Sequence, residues 1–234
     1  MENLIPSLIV IAVCGVVIIA IFWLVNRNKV QQELKIKEIA SLRGWEYERI
    51  QEPLAKGYRL RGVIDTIPWS LEGLTESNSH EAGPGSSETS SSTRWRSPAG
   101  NLPGGLVVIG PRTPGSTSAA AGMMGSALVQ AALRLMVGKD ASQISTLREA
   151  NAGSASLQRR YMVWAHSEAD AQHLLSSSVE SALLAWPVKL PLVVKLGPQG
   201  LEIHLAQRKV TSPIEMDELA SLGSRLLDAW QSPR

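Results

Sequence analysis

The sequence has almost no cysteine. Cys14 is the single cysteine among 234 residues, so no disulfide can form within the chain, and no thiolate is available as a nucleophile or metal ligand in the part that follows it. The charge is nearly balanced, with 23 Lys and Arg against 21 Asp and Glu. A balance of this kind lacks the basic excess typical of proteins whose main partner is nucleic acid.

Catalytic and metal-binding motifs are also missing from the sequence. It has no G-x-S-x-G elbow, no P-loop, no G-x-G-x-x-G and no H-x-x-x-H or C-x-x-C pair. The four histidines are His80, His166, His173 and His204. Their spacing favours solvated or packed side chains over a metal site. We therefore predict no catalytic residue, no cofactor and no metal, and the sequence leans away from an enzyme.

What the sequence does have is a long apolar run. Leu4 to Val25 contains no charged side chain, and a helix of this length spans roughly 33 Å, enough for a hydrocarbon core of about 30 Å. A cleavable signal peptide would need a basic start and a shorter apolar core, whereas this chain opens Met1-Glu2-Asn3. The pattern predicts an uncleaved transmembrane anchor over residues 1–26.

The residues that flank this run predict its orientation. Trp23 is placed for the membrane interface, and Arg27 and Lys29 begin a group of cations close to the end of the run. By the positive-inside rule, the N-terminus faces outward and the rest of the chain faces the cytoplasm. Loosely helical spacing continues the chain as a juxtamembrane helix over 27–44, ended by Gly44.

Residues 45–234 carry the patterns of an α+β domain, with antiparallel hairpins packed with helices. Alternating segments predict hairpins at 58–74 and 192–205, and other apolar segments predict strands. The remaining predicted elements are strands at 93–97, 105–110 and 160–166, a helix from Glu168 to about Trp186, and a terminal helix opened by Ser212-Pro213-Ile214-Glu215.

Two segments have a different character. Residues 76–92 consist almost wholly of Ser, Gly, Glu, Thr and Pro, a composition that predicts a disordered loop. Residues 117–137 are helical in tendency and include Met123-Met124. This second segment fits a core helix, an interfacial helix or a second transmembrane span, and the sequence leaves all three open.

Three arginines are candidate contacts for an anion or a lipid headgroup. Arg94 and Arg96 flank Trp95, so on a strand they share one face while the indole points to the other. Arg112 lies in a Gly- and Pro-rich segment between a predicted strand and a predicted helix. Solvated arginines opposite a buried Trp, and a plain connecting loop, explain the same patterns.

Several local patterns resemble a group of uncharacterised bacterial single-pass membrane proteins with a soluble domain of unknown function. They are Ala40-Ser41-Leu42-Arg43-Gly44-Trp45, the hairpin at Gly62, and Arg160-Tyr161-Met162-Val163-Trp164-Ala165-His166-Ser167. The resemblance implies a bacterial envelope protein and assigns no functional residue. Together with the predicted cytoplasmic orientation, it leads us to expect the bacterial inner membrane.

Together these observations predict a membrane-anchored, non-enzymatic interaction or assembly module, with a protein partner whose identity the sequence does not give. Two alternatives stay open. One is a membrane-associated enzyme with an anion at Arg112 and with His166 or His173 as a titratable group, and the other is a domain that senses anionic lipid.

Overall fold

The computed structural model describes residues 4–78, 88–102, 105–112, 146–187 and 190–231. The chain divides into two units, residues 1–44 and residues 45–234. The first unit is one helix, α1 (Leu4–Arg43), so the predicted juxtamembrane helix is the C-terminal part of a continuous helix. Gly44 ends it at a φ of +69°, a left-handed conformation that glycine adopts at little cost.

The membrane anchor predicted over residues 1–26 stays a prediction. Among the described residues, no helix has both the length and the apolar character needed to cross a bilayer. The side chains of residues 1–14, which make up much of the predicted anchor, lie outside the described part of the chain.

In the described part of the second unit, nine strands form one antiparallel sheet in the order β1-β2-β3-β4-β9-β8-β5-β7-β6. The strands are β1 (Glu46–Gln51), β2 (Ala55–Ile64), β3 (Ile67–Asn78), β4 (Glu88–Ser97), β5 (Val107–Pro111), β6 (Arg148–Glu149), β7 (Tyr161–Ala165), β8 (Leu192–Gly197) and β9 (Gly200–Ala206).

Helices pack against one face of this sheet. They are α2 (Ala155–Arg160), α3 (Glu168–Leu174), α4 (Ser177–Ala185) and α5 (Pro213–Gln231). Helix α5 contacts β4 and β9, while α2 and α3 contact β7. The predicted α+β domain, with antiparallel hairpins packed with helices, is confirmed.

A small buried cluster lies on one face of β5, β7 and β8: Leu106, Val108, Met162, Trp164 and Val193. The main core lies on the other face, between the sheet and the helices. One row of paired positions crosses eight neighbouring strands on this face: Tyr47, Leu60, Leu71, Trp95, Ile203, Val194, Ile109 and Val163. All of them except Tyr47 are buried. An unbroken apolar row of this kind fixes the register, because a slip by one residue would move every side chain to the opposite face.

The first predicted hairpin is present in the structure. Ile64 pairs with Ile67 across a two-residue turn formed by Asp65 and Thr66. Both turn residues have positive φ, 46° and 75°, as in the tight turns whose twist matches that of the flanking strands. Pro68 is the second residue of β3, a position where the missing N–H is tolerated at the start of a strand.

The disordered loop predicted over 76–92 is corrected at both ends. Residues 76–78 belong to β3 and residues 88–92 belong to β4, with Glu76 paired to Ser90. The hydroxyl groups of Thr75 and Ser91 lie 3.3 Å apart across the two strands. Backbone pairing and hydroxyl contacts order these ends despite their low hydrophobicity. The middle of the predicted loop, residues 79–87, lies outside the described residues.

The helix predicted from Glu168 to about Trp186 is two helices, α3 and α4. Ser176 starts the second helix, since its side chain accepts a hydrogen bond from the backbone N–H of Val179. Ser167, the predicted cap of the first helix, makes no such bond. The segment 117–137, with Met123 and Met124, lies outside the described residues.

Candidate functional site

The face of the sheet opposite the helices, here called the outer face, carries most of the charged side chains of the strands. Because side chains alternate along a strand, burial of Trp95 on the helix side places Arg94 and Arg96 on the outer face. Two rows of paired positions cross this face. One contains Glu48, Arg59, Glu72, Arg94 and His204, and the other contains Glu46, Arg61, Ser70, Arg96, Glu202 and Lys195.

On β1 to β3, carboxylates neutralise the arginines of these rows. Arg59 Nε donates to Glu72 at 2.6 Å, and its Nη1 donates to Glu48 at 3.1 Å. The hydrogen bond to Glu72 is the main reason that the pKa of the Arg59 guanidinium is raised. Arg61 lies 2.8 Å from Glu48 and 3.7 Å from Glu46. This part of the face therefore holds more carboxylates than guanidinium groups.

On β4, β9 and β8 the balance is reversed. Glu202 is shared by three cations, and we call Glu202, Arg94, Arg96 and Lys195 the Glu202 cluster. Arg94 Nε lies 3.0 Å from Oε1 of Glu202, while Arg96 Nε and Lys195 Nζ lie 3.3 Å and 3.5 Å from Oε2. The Glu202 side chain is only 17 % exposed, against 34 % for Arg94 and 43 % for Arg96. The four members of the cluster thus carry an excess of positive charge.

His204 lies beside this cluster, paired with Arg94 across β4 and β9. Burial lowers the pKa of its imidazole below 6.5, and the positive charges of Arg94, Arg96 and Lys195 lower it further, while Glu202 acts in the opposite direction. His204 is accordingly neutral at pH 7 and reports on the charge of its surroundings.

Arg112, the third predicted anion contact, lies elsewhere. Its Nε donates to the carbonyl oxygen of Gln158 at 2.7 Å, and its Nη2 lies 3.6 Å from Glu149. It follows β5, which is separated from β4 by β8 and β9. The structure brings Arg94 and Arg96 together and leaves Arg112 in contact with α2 and with Glu149 of β6.

The residues of the enzyme alternative do not meet. Arg112 follows β5 at the end where Pro111 pairs with Tyr161, whereas His166 follows β7 at the other end of that strand pair. Four residue steps of strand separate these ends, roughly 13 Å. His173 is engaged with a different residue, Trp230, whose carbonyl oxygen lies 3.2 Å from its Nε2.

The predicted membrane-interface residues lie on α1. The guanidinium of Arg27 sits 5.3 Å from the centre of the Trp23 ring, within the range of a cation–π contact. The Trp23 side chain is 59 % exposed. Lys29 lies in the same helix, and its side chain is outside the described part of the chain.

Pockets, but no cluster of metal ligands, are present in the part of the chain that the structure describes. No group of three His, Cys, Asp or Glu side chains converges there to hold a metal ion. A pocket of about 230 Å³ is lined by Leu190, Leu205 and Arg208 among others. Another of about 290 Å³ lies between α4 and α5 beside Trp186 and Arg225.

Sequence reasoning found Arg94 and Arg96 but missed Glu202, Lys195 and His204. The alternation in β9 does indicate that Glu202 and His204 share one face. The sequence has no signal that pairs β9 with β4, which lies about a hundred residues earlier in the chain. The cluster is therefore a product of the topology.

No family model and no curated protein matches the chain. Among solved structures, the crystal structure of the mycobacterial trehalose monomycolate transport factor A, TtfA, matches at 10 % sequence identity. The match covers 87 % of this chain and 98 % of that one, with a TM-score of 0.47. A likeness of that extent does not define a shared fold, and no function follows from it.

Proposed function

We propose that this chain is a non-enzymatic interaction or assembly module, held at a bacterial inner membrane by α1, with residues 45–234 in the cytoplasm. The observation that carries the proposal is the exposed apolar surface of α1. Its large apolar residues between positions 17 and 25 are 46 % to 75 % exposed: Val17, Ile18, Ile19, Ile21, Phe22, Trp23, Leu24 and Val25.

An apolar surface of this kind requires a covering phase. Adjacent residues along a helix point in different directions, so these side chains surround α1 instead of forming one stripe. Helices that are apolar on every side are buried in a membrane or in a large core. Trp23 and Arg27 at the end of the run are the residue types that anchor a span at the membrane interface. These features support a bilayer as the covering phase.

The outer face supports an interaction role in place of catalysis. It presents rows of charged side chains on six neighbouring strands, with a carboxylate excess on β1 to β3 and a cation excess in the Glu202 cluster. Charge arranged in this way steers a partner and sets its orientation. Arg112 and His166, the residues chosen for an enzyme, lie at opposite ends of the β5–β7 pair.

The membrane role is tested by two lysines placed towards the middle of the apolar run, Val17→Lys with Ile18→Lys. A charged side chain near the middle of a span costs about 3 kcal/mol, so we expect this variant to leave carbonate-washed membranes while the parent chain stays. Leu42→Lys is the matched control, because Leu42 is 79 % exposed on the same helix but outside the run. Release of both variants, or of neither, would contradict a membrane role for this segment.

The orientation is tested by a reporter fused after Arg234. A phosphatase that is active only outside the inner membrane should be silent in this fusion, and a reporter that fluoresces only in the cytoplasm should be bright. Strong phosphatase activity would place residues 45–234 on the other side of the membrane.

The interaction role is tested by site-specific photocrosslinking in intact membranes. A photoreactive residue in place of Arg61, on the outer face, should give one discrete adduct with a protein. The same residue in place of Glu218, an exposed position on α5, is the control for collisional crosslinking. Equal yields at the two positions would refute a partner surface on the outer face.

A further inference from the structure

The Glu202 cluster has the geometry of a prepared anion site. Both ion pairs to Glu202 use the Nε of the arginine, Arg94 on one carboxylate oxygen and Arg96 on the other. Among the described residues, neither arginine makes a further ion pair or hydrogen bond through its terminal Nη groups. Glu202 thus forms an ion pair with the Nε of each arginine, and the Nη donors of both guanidinium groups are left for a ligand.

The spacing of the two arginines suits one small ligand. Arg94 and Arg96 lie two residues apart on the same face of β4, so their Cα atoms are separated by roughly 7 Å. Two long side chains at that separation can reach the same tetrahedral anion from both sides. Arginine binds phosphate with paired N–H groups, and such charge-assisted bonds are about twice as strong as neutral ones.

The charge of the cluster favours an anion in the same place. Glu202 supplies one negative charge, and both of its oxygens are already engaged by cations, Arg94 on one side and Arg96 and Lys195 on the other. A phosphate beside it would contact two arginines whose side chains are 34 % and 43 % exposed to solvent.

We propose that the Glu202 cluster binds a phosphate group, with Arg94 and Arg96 as direct ligands, Lys195 adding positive charge and Glu202 orienting the arginines. The phosphate belongs either to a free anion or to the headgroup of a membrane lipid. This inference rests neither on a protein partner nor on the orientation of α1.

The test uses the full chain in phosphatidylcholine nanodiscs titrated with inorganic phosphate at constant ionic strength. Binding is followed by the NMR signals of the His204 imidazole, assigned with His204→Gln. An anion on Arg94 and Arg96 offsets their effect on His204, so the pKa of His204 should rise as the site fills. We expect saturable binding that Arg96→Gln weakens by about tenfold or more.

Arg61→Gln is the matched control. Arg61 lies on the same face and is 45 % exposed, against 43 % for Arg96, but its partners are the carboxylates of β1. Its replacement should change the affinity by less than about twofold, since the carboxylates of Glu46 and Glu48 already offset its charge. Equal weakening by the two variants would mean general electrostatic attraction and would overturn the site. Amide spectra of both variants must match the parent to show that the sheet is intact.

A second set of nanodiscs, containing phosphatidate, separates the two sources of phosphate. A His204 response to inorganic phosphate in phosphatidylcholine discs identifies a free anion as a ligand. A response only to phosphatidate, lost in Arg96→Gln and kept in Arg61→Gln, identifies a headgroup. If His204 responds to neither, the proposal is wrong, whatever the outcome of the membrane and crosslinking experiments.

Discussion

Replacement of Gly223 by alanine should reverse the usual effect of that change in a helix. In a helix interior, alanine is favoured over glycine by about 1 kcal/mol. Gly223, however, lies in α5 directly over Trp95, and a Cβ at this position would stand 2.5 Å from two atoms of the indole ring. Trp95 is fully buried and stacks on Trp69 with ring centres 6.3 Å apart. The indole therefore has little room to move.

The magnitude follows from these opposing terms. A contact of 2.5 Å is about 1 Å inside ordinary van der Waals separation, which calls for the upper part of the range for overpacked cores, about 3 kcal/mol. Subtraction of the helix preference of about 1 kcal/mol leaves a net loss of about 2 kcal/mol. We expect Gly223→Ala to lower the free energy of unfolding by that amount.

The assay is urea unfolding of the full chain in detergent micelles, followed by tryptophan fluorescence. The midpoint should fall while the dependence on urea concentration stays unchanged. Ser221→Ala, at an exposed position two residues earlier in α5, is the control and should alter stability by no more than about 0.5 kcal/mol. A Gly223→Ala protein as stable as the parent would refute the packing of α5 on Trp95.

Three further predictions concern polar groups. The Tyr58 hydroxyl donates to the carbonyl oxygen of Val210, so Tyr58→Phe should cost about 1–3 kcal/mol in urea unfolding. Because burial raises the pKa of Tyr58, the stability that this residue adds is fully present below pH 10 and is lost above it. The free energy of unfolding of Tyr58→Phe should therefore depend less on pH in the alkaline range. Burial lowers the pKa of His204, so the stability that this residue adds is fully present above pH 6.5 and is lost as the pH falls below that value. The melting temperature of His204→Gln should therefore depend less on pH below 6.5 than that of the parent chain. Glu202→Ala leaves three cations facing one another and should lower the free energy of unfolding by about 1–3 kcal/mol. In 0.5 M salt this loss should fall by roughly half, because salt screens the repulsion between the cations. Glu46→Ala, which removes a side chain that is 68 % exposed, is the control and should cost under about 0.5 kcal/mol.

Much of the fold is readable from the sequence because its signals are local. The hairpins at 58–74 and 192–205 follow from alternation over a few residues on each side of a short turn. Pro213 likewise marks the N-terminus of α5, a signal that lies within the first turn of the helix. Elements without a strong local period, such as β1 and the two residues of β6, were not predicted.

Other errors arose where two local signals competed. The apolar period continues from α3 into α4, so the sequence favours one helix, but the Ser176 side chain caps a new one. The serine-rich stretch on either side of residues 79–87 has a disordered composition, yet backbone pairing with a neighbouring strand outweighs it at both ends. In each case a hydrogen bond decided against the compositional average.

The two sides of β4 show why the candidate site is separable from the fold. Thr93, Trp95 and Ser97 are buried on the helix side, while Arg94 and Arg96 alternate with them on the outer face. Replacement of Arg94 or Arg96 by an uncharged side chain of similar length therefore changes the charge of the outer face without altering the packing on Trp95. If binding to the Glu202 cluster and stability of the core respond to different members of this one strand, the charged residues serve recognition and the intervening ones serve folding.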